Sequence, residues 1–165
     1  MSIRLLLTGG TIDKRYNMSN GALDFEHSHI AAALEQGRCT AAVTIEALML
    51  KDSLEMSSAD REQVLKACRN SAEQRLVITH GTDTMVDTAR VLAEAGLQKT
   101  IVLTGAMVPL IMRHSDGPFN LGCAITAVQC LPAGIYIAIN GEVFNWDNVV
   151  KNLPQLKFEP LQSYN

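Results

Sequence analysis

Three short segments of this chain concentrate hydroxyls, carboxylates and glycines: Thr8-Gly9-Gly10-Thr11-Ile12, Asp52-Ser53-Leu54-Glu55-Met56 and His80-Gly81-Thr82-Asp83-Thr84-Met85. Two hydroxyl residues and a carboxylate facing one cleft, with glycines that let backbone N–H groups approach a ligand, supply a nucleophile and the donors that stabilise an oxyanion. A threonine hydroxyl is unreactive until something takes its proton. The candidates for that partner are Tyr16, five residues beyond Thr11, and Lys151, which ends the run Asp147-Asn148-Val149-Val150-Lys151. Burial beside another cation would favour loss of the lysine's proton, whereas Asp83 beside it would hold the charge.

Each segment also has a plainer reading. Thr8-Gly9-Gly10-Thr11 is compatible with a tight turn or a phosphate cradle, although the G-x-G-x-x-G and G-x-x-x-x-G-K patterns are missing. Thr82 and Asp83 stand where a helix begins and suit an N-cap. Ser53 suits the start of a turn, Tyr16 a surface aromatic and Lys151 a solvated cation at the end of an element. The combination of all of them around one cleft is what favours chemistry.

That combination requires the segments to follow strands of one sheet, because ligands of open parallel α/β sheets gather outside the carboxyl ends of the strands. Short β-rich runs do precede them: Ile3 to Leu7, Val43 to Leu48 and Leu76 to Thr79, followed by Thr100 to Leu103 and Ile135 to Ile139. Helical patterns alternate with these runs, which predicts an α/β fold with an open, mostly parallel sheet and helices on both faces, a Rossmann- or flavodoxin-like three-layer arrangement. Ser57 to Ser71 reads as a helix opened by a Ser-x-x-Asp cap, and Met85, Ala89 and Leu92 line a second that ends at Gly96. From roughly Pro118 to Leu131 apolar and small residues surround the helix, which predicts burial on two sides, the second against another subunit of a homodimer or higher oligomer. Thr11 to His29 is polar without a period and reads as a mobile lid. Pro154 to Asn165 carries two prolines and reads as an extended tail along the surface of one domain spanning 1–165.

At 165 residues the chain is long enough to bury a core without staples. Its net charge of −3, with 14 Lys and Arg scattered along it, argues against nucleic acid as a partner. No apolar run has the length of a membrane span, and Leu5-Leu6-Leu7 is too short for the core of a signal peptide. Cys39, Cys68, Cys123 and Cys130 are widely spaced and read as small core residues of a reducing compartment, with no disulfide, no metal and no cofactor expected and a cytoplasmic location predicted. His27, His29, His80 and His114 do not group with them at ligand spacing.

Through Thr8-Gly9-Gly10-Thr11-Ile12 and His80-Gly81-Thr82-Asp83-Thr84-Met85, the sequence resembles the bacterial-type L-asparaginase family. Asp52-Ser53-x-x-Met56, Gly105-Ala106-Met107, Asp116-Gly117-Pro118-Phe119-Asn120 and Val149-x-Lys151 extend the likeness over nearly the whole chain. It looks like a short, single-domain form, because members usually carry a second, C-terminal domain.

The resemblance implies hydrolysis of L-asparagine to L-aspartate and ammonia, with Thr11 attacking the amide carbon to form an acyl-enzyme and Tyr16 assisting it. It implies a second catalytic group of Thr82, Asp83 and Lys151. A substrate site of Gly10, Asp52, Ser53, Gly81, Thr82 and Asp83 is also implied, in which Ser53 holds the α-carboxylate and Asp83 the α-ammonium. Backbone N–H groups near Gly10 and Thr82 would face the oxyanion. A glutaminase-asparaginase of broader specificity, a non-catalytic module binding aspartate or asparagine, and a nucleotide-binding Rossmann protein are the alternatives. Leu54 stands where two-domain members commonly carry a polar residue, and this chain has no residues for the glutamate that their C-terminal domain supplies. A modest affinity is therefore expected.

Overall fold

The computed structural model describes residues 2–161. In chain order the elements are β1 (Ser2–Gly9), β2 (Arg15–Tyr16), β3 (Leu23–Asp24), α1 (Ile30–Gln36), β4 (Ala42–Lys51), α2 (Ser58–Asn70) and β5 (Arg75–Thr79). They continue with α3 (Met85–Glu94), β6 (Thr100–Thr104), α4 (Gly117–Cys130), β7 (Gly134–Ile139), β8 (Glu142–Asn145), β9 (Val150–Asn152) and β10 (Lys157–Glu159). Six of the strands form one sheet in the order β4-β1-β5-β6-β7-β8, parallel except for β8.

Successive strand residues point to opposite faces, and the core divides accordingly. Leu6, Leu76, Ile78, Ile101, Leu103 and Ile137 meet α2 and α3 on one face. Leu5, Leu7, Val77, Val102 and Ala138 meet α1 and α4 on the other. The cap predicted for α2 is a full capping box, with Asp60 N–H donating to Ser57 Oγ and Ser57 N–H donating back to Asp60 Oδ2.

The strand order creates a switch point. From β1 the chain crosses to β4 on one side, whereas from β5 it crosses to β6 on the other, so the loops leaving β1 and β5 diverge and open a crevice between their carboxyl ends. Both hydroxyl-bearing segments after β1 and β5 lie there.

The segment from Thr11 to His29, read as a lid, carries a 3₁₀ turn at Thr11–Asp13 and an antiparallel hairpin pairing Tyr16 with Leu23. Its two ends are clasped, because Ser28 Oγ donates to Asp13 Oδ1 at 2.6 Å. Two expectations, for the tail and the cysteines, are corrected. The tail is anchored rather than trailing. β10 pairs with β9, setting Phe158 opposite Lys151, and Phe158 is 2% exposed in the core. The part of the tail from 162 to 165 lies outside the described residues. Of the four free cysteines only Cys68 is buried, which pushes its thiol up to about 12, while Cys39 and Cys130 are exposed. α4 packs one face on the sheet and leaves Phe119 on the other 61% exposed, so the chain alone buries one side of this helix.

Candidate active site

Glycine is required where the two loops meet. Gly10 has φ +80°, and a Cβ there would sit 2.3 Å from the Gly81 nitrogen, so the β1 and β5 loops touch backbone to backbone. A Cβ on Gly81 would in turn sit 2.5 Å from Ser53 Oγ, which places the β4 turn against the same point. Thr84 Oγ1 fastens that turn by donating to the Ser53 carbonyl at 2.8 Å, and Arg61 Nη2 donates to Thr84 Oγ1 at 3.0 Å. Thr11, Ser53 and Thr82 are thereby gathered from three loops into one crevice.

At its far side Lys151, on β9, donates from Nζ to Thr82 Oγ1 at 2.7 Å and to Asp83 Oδ1 at 2.5 Å, joining residues 69 and 68 positions apart. Thr82 also faces Met107 Sδ at 3.8 Å. That methionine is held by Asp116, whose carboxylate accepts from the N–H groups of Met107 and Val108 and from Asn120 Nδ2. Asn120 Nδ2 also donates to the Gly105 carbonyl. The later motifs are thus the scaffold behind Thr82.

The remaining residues named from the sequence fall into two groups. Ser53 is 1% exposed and its hydroxyl has no partner, an orphaned buried group of the kind a ligand satisfies. The Thr11 hydroxyl likewise has no partner among the described residues. Tyr16, in contrast, is 54% exposed on the hairpin, with its hydroxyl beside Gly21 and without a bond to Thr11. The Gly10 N–H is taken by the Lys51 carbonyl at 3.0 Å, whereas the N–H groups of Thr11 and Thr82 have no acceptor among the described residues. Asp52 accepts from Leu54 N–H and from Lys14 Nζ, and these bonds hold its carboxyl below the usual carboxylate range, the lysine bond most of all. Leu54 beside it is 72% exposed. Sequence reasoning missed Lys14 because its partner lies 38 residues away.

His80 is buried at the base of the β5 loop. Its Nδ1 meets the Gly81 carbonyl at 2.8 Å, which accepts only, so Nδ1 carries the proton and Nε2 accepts from the Thr88 hydroxyl at 2.7 Å. Burial lowers the imidazole from its ordinary 6.5 to about 4. Between those values the unfolded chain binds a proton that the folded one refuses. The contribution of His80 is therefore complete above about pH 6.5 and is lost as the pH falls towards 4. Urea unfolding at pH 7 and at pH 4.5 is expected to show a smaller loss of stability in His80→Gln than in the native sequence.

A family model described as "Asparaginase, N-terminal" matches residues 2–165. The chain belongs to the asparaginase family. The probable periplasmic L-asparaginase of Haemophilus influenzae is 30% identical over 160 residues, covering 91% of this chain and 46% of that protein. The L-asparaginase 2 of Escherichia coli is 31% identical over 162 residues, again covering 91% and 46%. The thermostable L-asparaginase of Thermococcus kodakarensis superposes with a TM-score of 0.83 at 26% identity, covering 97% of this chain and 51% of that one. This asparaginase-family chain spans about half the length of these relatives. Among its described residues no helix is long and apolar enough to cross a membrane, and no group of three or more His, Cys, Asp or Glu could hold a metal ion.

Proposed function

We propose that this chain hydrolyses L-asparagine to L-aspartate and ammonia through an ester on Thr11. The observation that carries this reading is Lys151 seated between the Thr82 hydroxyl and the Asp83 carboxylate, across the crevice that also holds the Thr11 hydroxyl, which has no partner among the described residues. An ammonium that donates to Thr82 Oγ1 occupies an oxygen lone pair, making that hydroxyl a better proton donor and a poorer nucleophile. Thr11 keeps its lone pairs free.

The roles divide on that difference. Thr11 Oγ1 bonds to the side-chain amide carbon, and the carbonyl oxygen takes up negative charge facing the N–H groups of Thr11 and Thr82. The C–N bond breaks as the nitrogen gains a proton equivalent to the one Thr11 gave up, so ammonia leaves neutral. The Thr82–Lys151 pair is the carrier on the leaving-group side, and Tyr16 becomes the carrier for Thr11 once the hairpin brings its hydroxyl across. Water then attacks the ester, aspartate leaves and Thr11 recovers a proton. The substrate's α-carboxylate satisfies the orphaned Ser53 hydroxyl, and its α-ammonium pairs with Asp83.

The test is ammonia release from asparagine and from glutamine in separate reactions. Asparagine is expected to be preferred by roughly 10- to 200-fold, the discrimination that one methylene allows. Equal rates would assign the broader glutaminase-asparaginase reading. One observation favours a non-catalytic module instead: the Tyr16 hydroxyl lies by Gly21, so Thr11 has no base until the hairpin moves. Aspartate binding without any ammonia from millimolar asparagine would assign that reading.

A homodimer or higher oligomer belongs to the same proposal. It is supported by the uncovered face of α4, where Phe119 and Val143 flank a groove of about 520 Å³. A cytoplasmic location is supported by the four free thiols.

A further inference from the structure

We propose that Lys14 is a specificity-determining residue that neutralises Asp52 and so keeps the neighbouring Ser53 hydroxyl open to a carboxylate; this rests on the reading of Ser53 given above. Asp52 immediately precedes Ser53, and consecutive Cα atoms are about 3.8 Å apart. Its carboxylate is fixed by accepting from the Leu54 N–H at 3.0 Å, so it cannot swing away from the turn. A lone negative charge at that position would repel the anionic end of an amino acid entering the Ser53 site.

Lys14 removes the repulsion. Its Nζ meets Asp52 Oδ2 at 2.5 Å, with the two side chains only 18% and 28% exposed. The lysine arrives from the loop that carries Thr11, three residues downstream of it, and its ammonium also lies 5.6 Å from the centre of the Phe25 ring. The pair therefore joins the nucleophile loop to the carboxylate turn as a neutral unit. An unpaired unit charge this near the Ser53 turn, at the effective dielectric constant of about 20 that suits groups near a protein surface, shifts affinity for a carboxylate by roughly ten-fold.

An electrostatic role and a merely structural tie make opposite predictions. Removing either half of a tie loosens the same contact and weakens binding. Removing the charges separately changes the field in opposite directions. L-aspartate binding is to be measured by calorimetry on the native sequence and on Lys14→Met, Asp52→Asn and Ser53→Ala, where Asp52→Asn keeps an oxygen for the Leu54 N–H. The expected result is weakening of about ten-fold in Lys14→Met, tightening in Asp52→Asn and weakening in Ser53→Ala. Weakening in both Lys14→Met and Asp52→Asn, or no change in either, with Ser53→Ala still weakened, overturns the proposal and leaves the Ser53 reading standing. Should Lys14→Met fail to fold, the sign of the Asp52→Asn effect decides alone. Unchanged binding in Ser53→Ala, or no binding by the native sequence, removes the Ser53 reading and the inference with it.

Discussion

Replacing Thr11 with valine is expected to reduce ammonia release from asparagine by roughly 10⁴-fold or more while leaving the fold intact. Valine matches the shape of threonine and lacks only the hydroxyl. That hydroxyl has no partner among the described residues, so its removal orphans none of their groups and its structural cost is small. The effect on rate is large because no other hydroxyl can substitute. Thr82 is bound by an ammonium, and Ser53 is enclosed with Gly81 packed on its Oγ. Thermal unfolding should place the variant within about 1 kcal/mol of the native sequence, so a loss of rate can be assigned to chemistry.

Lys151→Met carries the second large effect, a fall in kcat of about 10²- to 10⁴-fold, the usual range for losing a positioned proton donor. The lysine side chain is 13% exposed, and methionine keeps most of its packing volume while removing the donor to Thr82 and Asp83. Lys151→Arg is expected to recover little, since a planar fork cannot present one nitrogen to both acceptors in the same geometry. Steady-state kinetics with asparagine check this. A kcat unchanged within two-fold in Lys151→Met would show that Thr82 does not need its ammonium.

The sheet and its main helices were legible because the runs of β-branched and leucine residues have the length of strands, α2 opens on the Ser57 capping box and α3 is followed by Gly96 in the left-handed region. The site was legible for the same reason: its loops follow strands directly, so a residue's place in the sequence determines its place at the carboxyl edge. What escaped was set by partners distant in the chain. β2 and β3 are two residues each and β9 and β10 three, too short to show a period, and they are recognisable only once paired. Phe158 is a single aromatic between Lys157 and Glu159, and only its burial shows that the tail anchors the strand bearing Lys151. The Lys14–Asp52 pair has no local signature, and the Gly10 N–H bond to Lys51 depends on a strand that returns 41 residues later. In Tyr16 the spacing suggested a partner for Thr11, while the hairpin turns its hydroxyl elsewhere.

The nucleophile can be identified directly by acid-quenching the protein during turnover of isotopically labelled asparagine and mapping the labelled ester by peptide mass spectrometry. The expected result is label on the peptide that carries Thr11, absent from Thr11→Val. Label on the peptide that carries Thr82, or undiminished ammonia release from Thr11→Val, would contradict it.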